Sequence, residues 1–110
     1  MNIKNKPFII AEAGVNHNGS LEIAKKLVIG SKKAGADAIK FQSFIAENLV
    51  KKNAPKVPYQ IDKKNFSETH FEMLKKLELS FKDQKKLLVF CKKLNIEFIS
   101  TPFDIQSALY

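Results

Sequence analysis

The fold is decided by one stretch near the start of the chain, residues 8–42, FIIAEAGVNHNGSLEIAKKLVIGSKKAGADAIKFQ. The apolar run at 8–12 predicts a strand, and because it is continuous we expect burial on both faces, as in parallel sheets. A helical pattern follows, and residues 36–42 predict a second strand. Strand, helix and strand in this order predict a right-handed βαβ unit.

Polar side chains stand at the carboxyl ends of both predicted strands. The first strand ends on Glu12, and the second contains Lys40 and Gln42, which alternation places on one face. A βαβ unit brings these ends to one edge of the sheet, where ligands bind in α/β folds. The stretch therefore predicts a ligand site as well as a fold.

The helix between these strands has a start signal and a stop signal. Ser20 is a good N-cap, and Gly35 is the expected C′ residue. The face predicted to be apolar consists of Ile23, Leu27, Ser31 and Ala34, with Ala24 and Val28 beside it.

The rest of the chain continues the alternation of strands and helices. Residues 43–67 are irregular and predict a long loop over the ligand edge. We expect helices over 68–77 and 80–94, a third strand over 96–100, and the start of another helix at 105–110. The longer helix is expected to bury Phe81, part of Gln84, Leu87, Leu88, Cys91 and Leu94, and to end at Asn95 as its C′ residue.

This element order predicts an α/β fold with a parallel sheet and outer helices. Three strands cannot close a TIM barrel, which needs eight strands and about 250 residues. The chain of 110 residues is therefore either a small open α/β domain or part of a barrel. Its end inside a helix start favours the fragment.

Composition and charge limit the classes of function. The chain is 45% hydrophobic, has a net charge of +8 with 19 lysines, and contains no arginine. Most of the lysines form pairs on predicted outer helix faces, so a solvated surface is favoured over a nucleic-acid surface. No stretch predicts a membrane span or a signal peptide, and the single Cys91 fits a reducing cytoplasm.

Both charged candidates can be interpreted in two ways from position alone. Glu12 is either a general base or sugar ligand, or a capping or salt-bridging residue. Lys40 is costly to bury unless it pairs with Glu12 or with a bound anion, and the alternative is a rim lysine that reaches water. Gln42 offers a donor and an acceptor on the same face as Lys40.

Two further groups follow the same logic. His17 lies in a tight polar turn, and turn chemistry explains it as well as ligand binding does; one histidine is a poor metal site. Ser100 and Thr101 end the third strand, where they could hold an anion or form an ordinary strand-to-helix turn.

Four segments together resemble the N-terminal part of the sialic acid synthase family: IIAEAGVNHNGS, AGADAIKFQSF, AENLVKKNAP and FISTPFD. The resemblance covers nearly the whole chain from Phe8 onward. The middle segment is more similar to N-acetylneuraminate and legionaminate synthases than to pseudaminate synthases. The resemblance implies a partial TIM (β/α)8 barrel over residues 1–110, without the family's antifreeze-like C-terminal domain.

The resemblance also implies a reaction. These enzymes condense phosphoenolpyruvate with an N-acylated hexose such as N-acetylmannosamine, giving a nine-carbon 2-keto sugar acid and phosphate. A divalent metal, Mn or Mg, polarises the sugar aldehyde, and its ligands lie outside this chain. The family further implies a cytoplasmic enzyme and a homodimer for the full-length protein.

The residues that match the family's site are carried over one by one. Glu12 matches the catalytic glutamate near the reacting end of the sugar, and Lys40 matches a lysine in the phosphoenolpyruvate site. Gln42 and Asn65 match amides that hold the N-acylhexosamine. Thr101, with Ser100, matches the hydroxyl position at the phosphoenolpyruvate end.

The family's other phosphate ligands and metal ligands lie on later strands, so we expect the 110-residue chain alone to be inactive. An incomplete barrel leaves an open sheet edge and uncovered apolar faces, so we also expect it to be poorly stable. The alternative function is a small α/β anion-binding module without catalysis, with nucleic-acid binding third on charge alone.

Overall fold

A computed structural model describes residues 6–49 and 69–110 as a parallel three-stranded sheet with helices packed on it. The elements in chain order are β1 (Ile10–Gly14), α1 (Leu21–Lys33), β2 (Ala38–Ser43), α2 (Ala46–Leu49), α3 (His70–Leu77), α4 (Phe81–Lys93), β3 (Glu97–Pro102) and α5 (Ile105–Leu109). The α/β prediction is confirmed. Within the described part of the chain, no helix is long and apolar enough to cross a membrane.

The core lies between one face of β2 and the outer helices. The strand order is β1-β2-β3, so β2 is paired on both sides. Its Ile39 and Phe41 are fully buried, and they share one cluster with residues of α1 and α4, namely Ala24, Val28, Leu87 and Cys91. Burial raises the pKa of the Cys91 thiol to about 11, so this cysteine is a packing residue with little thiolate at neutral pH.

The prediction for the first strand was wrong in its bounds and its burial. The strand begins two residues later than expected, and Phe8, Ile9 and Ile10 are 62%, 49% and 48% exposed. The reason is that β1 pairs only with β2 among the described strands, and α1 packs against one of its faces. A continuous apolar run identified the strand and could not tell how many neighbours cover it.

The C-terminal ends of α1 and α4 were predicted correctly, and their buried faces were predicted in part. In α4, Gln84, Leu87 and Cys91 are buried as expected. Gly35 and Asn95 have φ of +91° and +57°, as expected of C′ residues. In α1 the wholly buried positions are Ala24 and Val28, whereas Ile23 is 38% exposed. The apolar stripe is therefore rotated by about one residue, or roughly 100°. Leu88 of α4 is likewise 37% exposed instead of buried.

The described part of the segment between β2 and α4 contains two helices where one was expected, and residues 50–67 of the predicted long loop lie outside the described residues. The short α2 was not predicted, because four residues carry no readable periodicity. Helix α3 begins at His70, two residues later than predicted, because Thr69 and Glu72 form a reciprocal capping box. Lys75 bridges Glu47 of α2 and Glu78 behind α3, each at 3.0 Å.

Asp104 joins the end of β3 to the end of β2. Its Oδ1 accepts a hydrogen bond from the Ser107 backbone at 2.8 Å and so caps α5, while Oδ2 accepts one from the Ile45 backbone at 2.8 Å. Desolvation works to raise the pKa of this carboxyl, but these hydrogen bonds outweigh it and hold the pKa below its ordinary value. One ionised side chain thus fixes two loops at the carboxyl edge of the sheet.

The turn between β1 and α1 is held by a buried histidine. The ring of His17 is fully buried with its centroid 6.0 Å from that of Phe41, and its Nδ1 accepts the Gly19 backbone N–H at 2.9 Å. Because Nδ1 is an acceptor, the neutral ring carries its proton on Nε2, which has no hydrogen-bond partner among the described residues. Burial lowers the pKa of His17.

We predict that His17 makes stability fall as the pH drops below its ordinary pKa of 6.5. The folded state holds the ring neutral, whereas the unfolded chain binds a proton below that pH, so acid favours unfolding. The expected slope is up to about 1.4 kcal/mol per pH unit, between 6.5 and the lower pKa of the folded state. Urea unfolding at a series of pH values measures it.

The measurement is made on residues 1–110, and the control variant is His70→Gln, which leaves His17 as the only histidine of that segment. The slope should survive in His70→Gln and disappear in His17→Gln. A free energy of unfolding that stays level from pH 7 to pH 5.5 would contradict the assignment.

Candidate active site

Four candidate side chains belong to one face of the sheet, opposite the helices. Alternation along β2 places Lys40 and Gln42 on the face away from the buried Ile39 and Phe41. Glu12 pairs with Lys40 in the β1–β2 register, and Thr101 pairs with Gln42 in the β2–β3 register. All three strands are parallel, so these residues cluster towards one edge of the sheet, as predicted.

The centre of this cluster is an ion pair. Lys40 Nζ lies 3.1 Å from Glu12 Oε2, and the two side chains are 35% and 52% exposed. An ion pair this accessible adds little to stability, because water screens both charges. It does keep a cation and a carboxylate at fixed positions that a ligand can reach. Lys40 is thus paired with Glu12 and also reaches water, which combines its two interpretations, and Glu12 forms the salt bridge that was its alternative interpretation.

The side chains of Gln42 and Glu12 both lie near Gly14, a position that sequence reasoning did not single out. The pairing register shifts between Glu12 and Gly14, so β1 has one extra residue there, Ala13. A Cβ added to Gly14 would lie 3.3 Å from Glu12 Oε1 and 3.6 Å from Gln42 Nε2. The carboxylate and the amide therefore border the same small space. A parallel-strand bulge has no simple sequence signal. A glycine at the end of a strand can indicate a bulge, and Gly14, two residues after Glu12, is such a glycine.

The structure does not bring Ser100 to this cluster. Ser100 pairs with Phe41 in register and so belongs to the helix-facing side of the sheet. Its hydroxyl bonds that of Ser43, which donates to Gln84 Oε1 at 2.6 Å. Because the Ser43 proton goes to Gln84, the Ser100 proton goes to Ser43. Ser100 thus serves the packing of β3 on β2 and has no proton left for a ligand.

Of the two hydroxyls that end β3, Thr101 is therefore the one on the Lys40 face. Counting alternate residues along the third strand could have separated them, since Ser100 and Phe98 share a face. Asn65, the remaining candidate, lies outside the described residues.

In the polar turn before α1, His17 is not available as a ligand group for this cluster. His17 commits Nδ1 to the Gly19 backbone and buries its ring against Phe41. Asn18 has φ of +53°, which confirms the turn interpretation for that residue. Across residues 6–49 and 69–110, no three His, Cys, Asp or Glu side chains converge as metal ligands would. The described residues therefore do not fit a divalent metal by themselves.

Comparison with known sequences places this cluster in context. A sequence profile described as the NeuB family matches residues 27–110. The N,N'-diacetyllegionaminic acid synthase of Campylobacter jejuni is 51% identical over 102 residues, which is 93% of this chain and 30% of that protein. The enzyme of the same name from Legionella pneumophila is 55% identical over 100 residues, covering 91% of this chain and 28% of the relative.

A solved structure agrees with these matches. The N-acetylneuraminic acid (sialic acid) synthetase of Leptospira borgpetersenii, crystallised with citrate, superposes with a TM-score of 0.72 at 32% identity over 96% of this chain and 32% of that one. The chain spans about 30% of the length of the curated relatives it matches. Its parallel sheet corresponds to part of a TIM barrel, and the chain belongs to the NeuB family, the family of sialic acid synthases.

Proposed function

We propose that this chain supplies the first strands of a synthase barrel that condenses phosphoenolpyruvate with an N-acylated hexose. The observation that carries the proposal is the Glu12–Lys40 ion pair on the open face of the sheet, with Gln42 and Thr101 beside it in register. The names of the relatives support a sugar acid as product. We propose that residues 1–110 belong to one TIM-barrel domain that other parts of the enzyme complete.

Each residue has a role that its position allows. The ammonium group of Lys40 offsets the negative charge of phosphoenolpyruvate, and Thr101 donates its hydroxyl at that end. Gln42 both donates to and accepts from the N-acylhexosamine, whose hydroxyls and amide need both. Glu12 orients the sugar and accepts or returns a proton at its reacting end.

The Glu12–Lys40 pair suits a reaction in which an anionic substrate competes with Glu12 for the ammonium group of Lys40. In the free site Glu12 is the counter-ion of Lys40, 3.1 Å away. An incoming phosphoenolpyruvate anion shares the ammonium group, which weakens the hold of Lys40 on Glu12. Glu12 then becomes available as a base only when the anionic substrate is present. Binding of phosphoenolpyruvate would in this way make the Glu12 carboxylate available to act on the sugar.

The family implies a divalent metal, which would polarise the sugar aldehyde when bound. No three candidate ligands converge among the described residues, and we propose from the resemblance that the metal ligands lie on later strands of the complete enzyme. We further propose that the complete enzyme acts in the cytoplasm as a homodimer. The resemblance in the sequence supports both.

Lys40→Met in the complete polypeptide is predicted to lower phosphoenolpyruvate-dependent phosphate release by about 10²- to 10³-fold and to raise the KM for phosphoenolpyruvate. The loss arises because no cation remains to balance the substrate anion. Phosphate release with N-acetylmannosamine or its diacetamido analogue is the assay. Lys86→Met, which removes an exposed lysine of α4, is the matched control. Equal activity in the two variants would refute the role of Lys40.

Residues 1–110 alone are predicted to be inactive, whereas a chimera that joins them to the remaining barrel of the Campylobacter jejuni synthase is predicted to turn over. Three strands present one wall of the site, and a closed barrel needs about eight. Phosphate release by both proteins tests this. An inactive, folded chimera that still binds phosphoenolpyruvate would favour the anion-binding module. Turnover by residues 1–110 alone would contradict the need for a completed barrel.

A further inference from the structure

We propose that Gly14 is a positioning residue of the site, which by having no side chain leaves room for the Glu12 carboxylate beside the Gln42 amide. This inference rests on the proposed function, because it assigns Gly14 a role in the same reaction. It is drawn from three features of the strand end: the shifted register, the positive φ and the space beside the glycine.

The shifted register places two residues of β1 against one of β2. Glu12 pairs with Lys40 and Gly14 pairs with Phe41, which leaves Ala13 as the extra residue. Ala13 is 4% exposed and belongs to the core cluster, whereas a Cβ on Gly14 would point to Glu12 and Gln42. Because of the bulge, Ala13 packs in the core, and Gly14 leaves the space beside Glu12 and Gln42 empty. Bulges beside active sites commonly aim a side chain in this way.

The backbone of Gly14 requires glycine or a residue that tolerates the left-handed region. Its φ is +54°, and residues with a Cβ adopt this conformation at a cost. A positive φ alone explains a glycine without any role in the site. The neighbouring atoms supply the second, independent reason.

The neighbouring atoms at Gly14 are the functional atoms of the site. An added Cβ would meet Glu12 Oε1 at 3.3 Å and Gln42 Nε2 at 3.6 Å. The other carboxylate oxygen, Oε2, is the one held by Lys40 at 3.1 Å. A methyl group at Gly14 would therefore press on the free oxygen and displace the carboxylate by a few tenths of an ångström. The geometry of the ion pair between Glu12 Oε2 and Lys40 Nζ would change with it.

The first test is Gly14→Ala in the complete polypeptide, compared with Gly35→Ala. Gly35 also has a positive φ, but nothing lies within 4 Å of an added Cβ there, so this variant carries the backbone cost alone. We expect Gly14→Ala to lower kcat about tenfold, because small misplacements of reacting groups reduce rates steeply. Gly35→Ala should keep kcat and KM while losing thermal stability, because its φ of +91° also disfavours a Cβ.

The second test is a double-mutant cycle with Glu12→Asp, which shortens the carboxylate side chain by one methylene group. If Gly14 acts by leaving room for Glu12, the shorter side chain costs less activity in the Gly14→Ala background than in the parent protein. We expect the fall in kcat caused by Glu12→Asp to be at least threefold smaller in that background. A purely structural role would leave the two effects multiplicative.

The outcomes separate this inference from the function beneath it. Loss of activity in Gly14→Ala but not in Gly35→Ala, with a non-multiplicative cycle, supports the role of Gly14. Unchanged kcat in Gly14→Ala, or a multiplicative cycle, contradicts the role of Gly14. The proposed function still stands in that case if Glu12→Gln abolishes turnover. If Glu12→Gln is fully active, the proposed function fails first, and the inference fails with it.

Discussion

The pleat of β2 is the constraint on which the rest of the structure depends. This strand pairs with β1 on one side and β3 on the other, so its alternation fixes the two faces of the whole sheet. Ile39 and Phe41 build the core with the helices, and Lys40 and Gln42 face away from it. A shift of one residue in either pairing would exchange the two sets. Fold and site are thus specified by the same register.

Much of this could be predicted from the sequence, because its strongest signals are local. The order of strands and helices, the caps at Ser20, Gly35 and Asn95, and the meeting of Glu12 with Lys40 all follow from patterns within a few residues and one rule of chain handedness. Those features depend on backbone conformation and topology, and both are indicated by residue types at particular positions in the sequence.

The features that could not be predicted depend on neighbours distant in sequence. The exposure of Ile9 and Ile10 is set by how many elements cover β1, which the run of apolar letters does not contain. The place of Ser100 depends on its partner Ser43, 57 residues away, whose own hydroxyl donates to Gln84. The bulge at Ala13 is visible only when β1 is aligned with β2. Each is a property of a pair of segments.

The hydrogen-bond chain behind the sheet restricts how the sequence can vary. Ser100 donates to Ser43, Ser43 donates to Gln84, and Gln84 donates to the Leu79 carbonyl at 3.0 Å. Each hydrogen bond in this chain has a defined donor. Loss of the Ser43 hydroxyl would therefore leave the buried Gln84 oxygen without its donor. Relatives that replace Ser43 by an apolar residue should therefore also replace Gln84, so the two positions should change as a pair, while the surface of α4 varies freely.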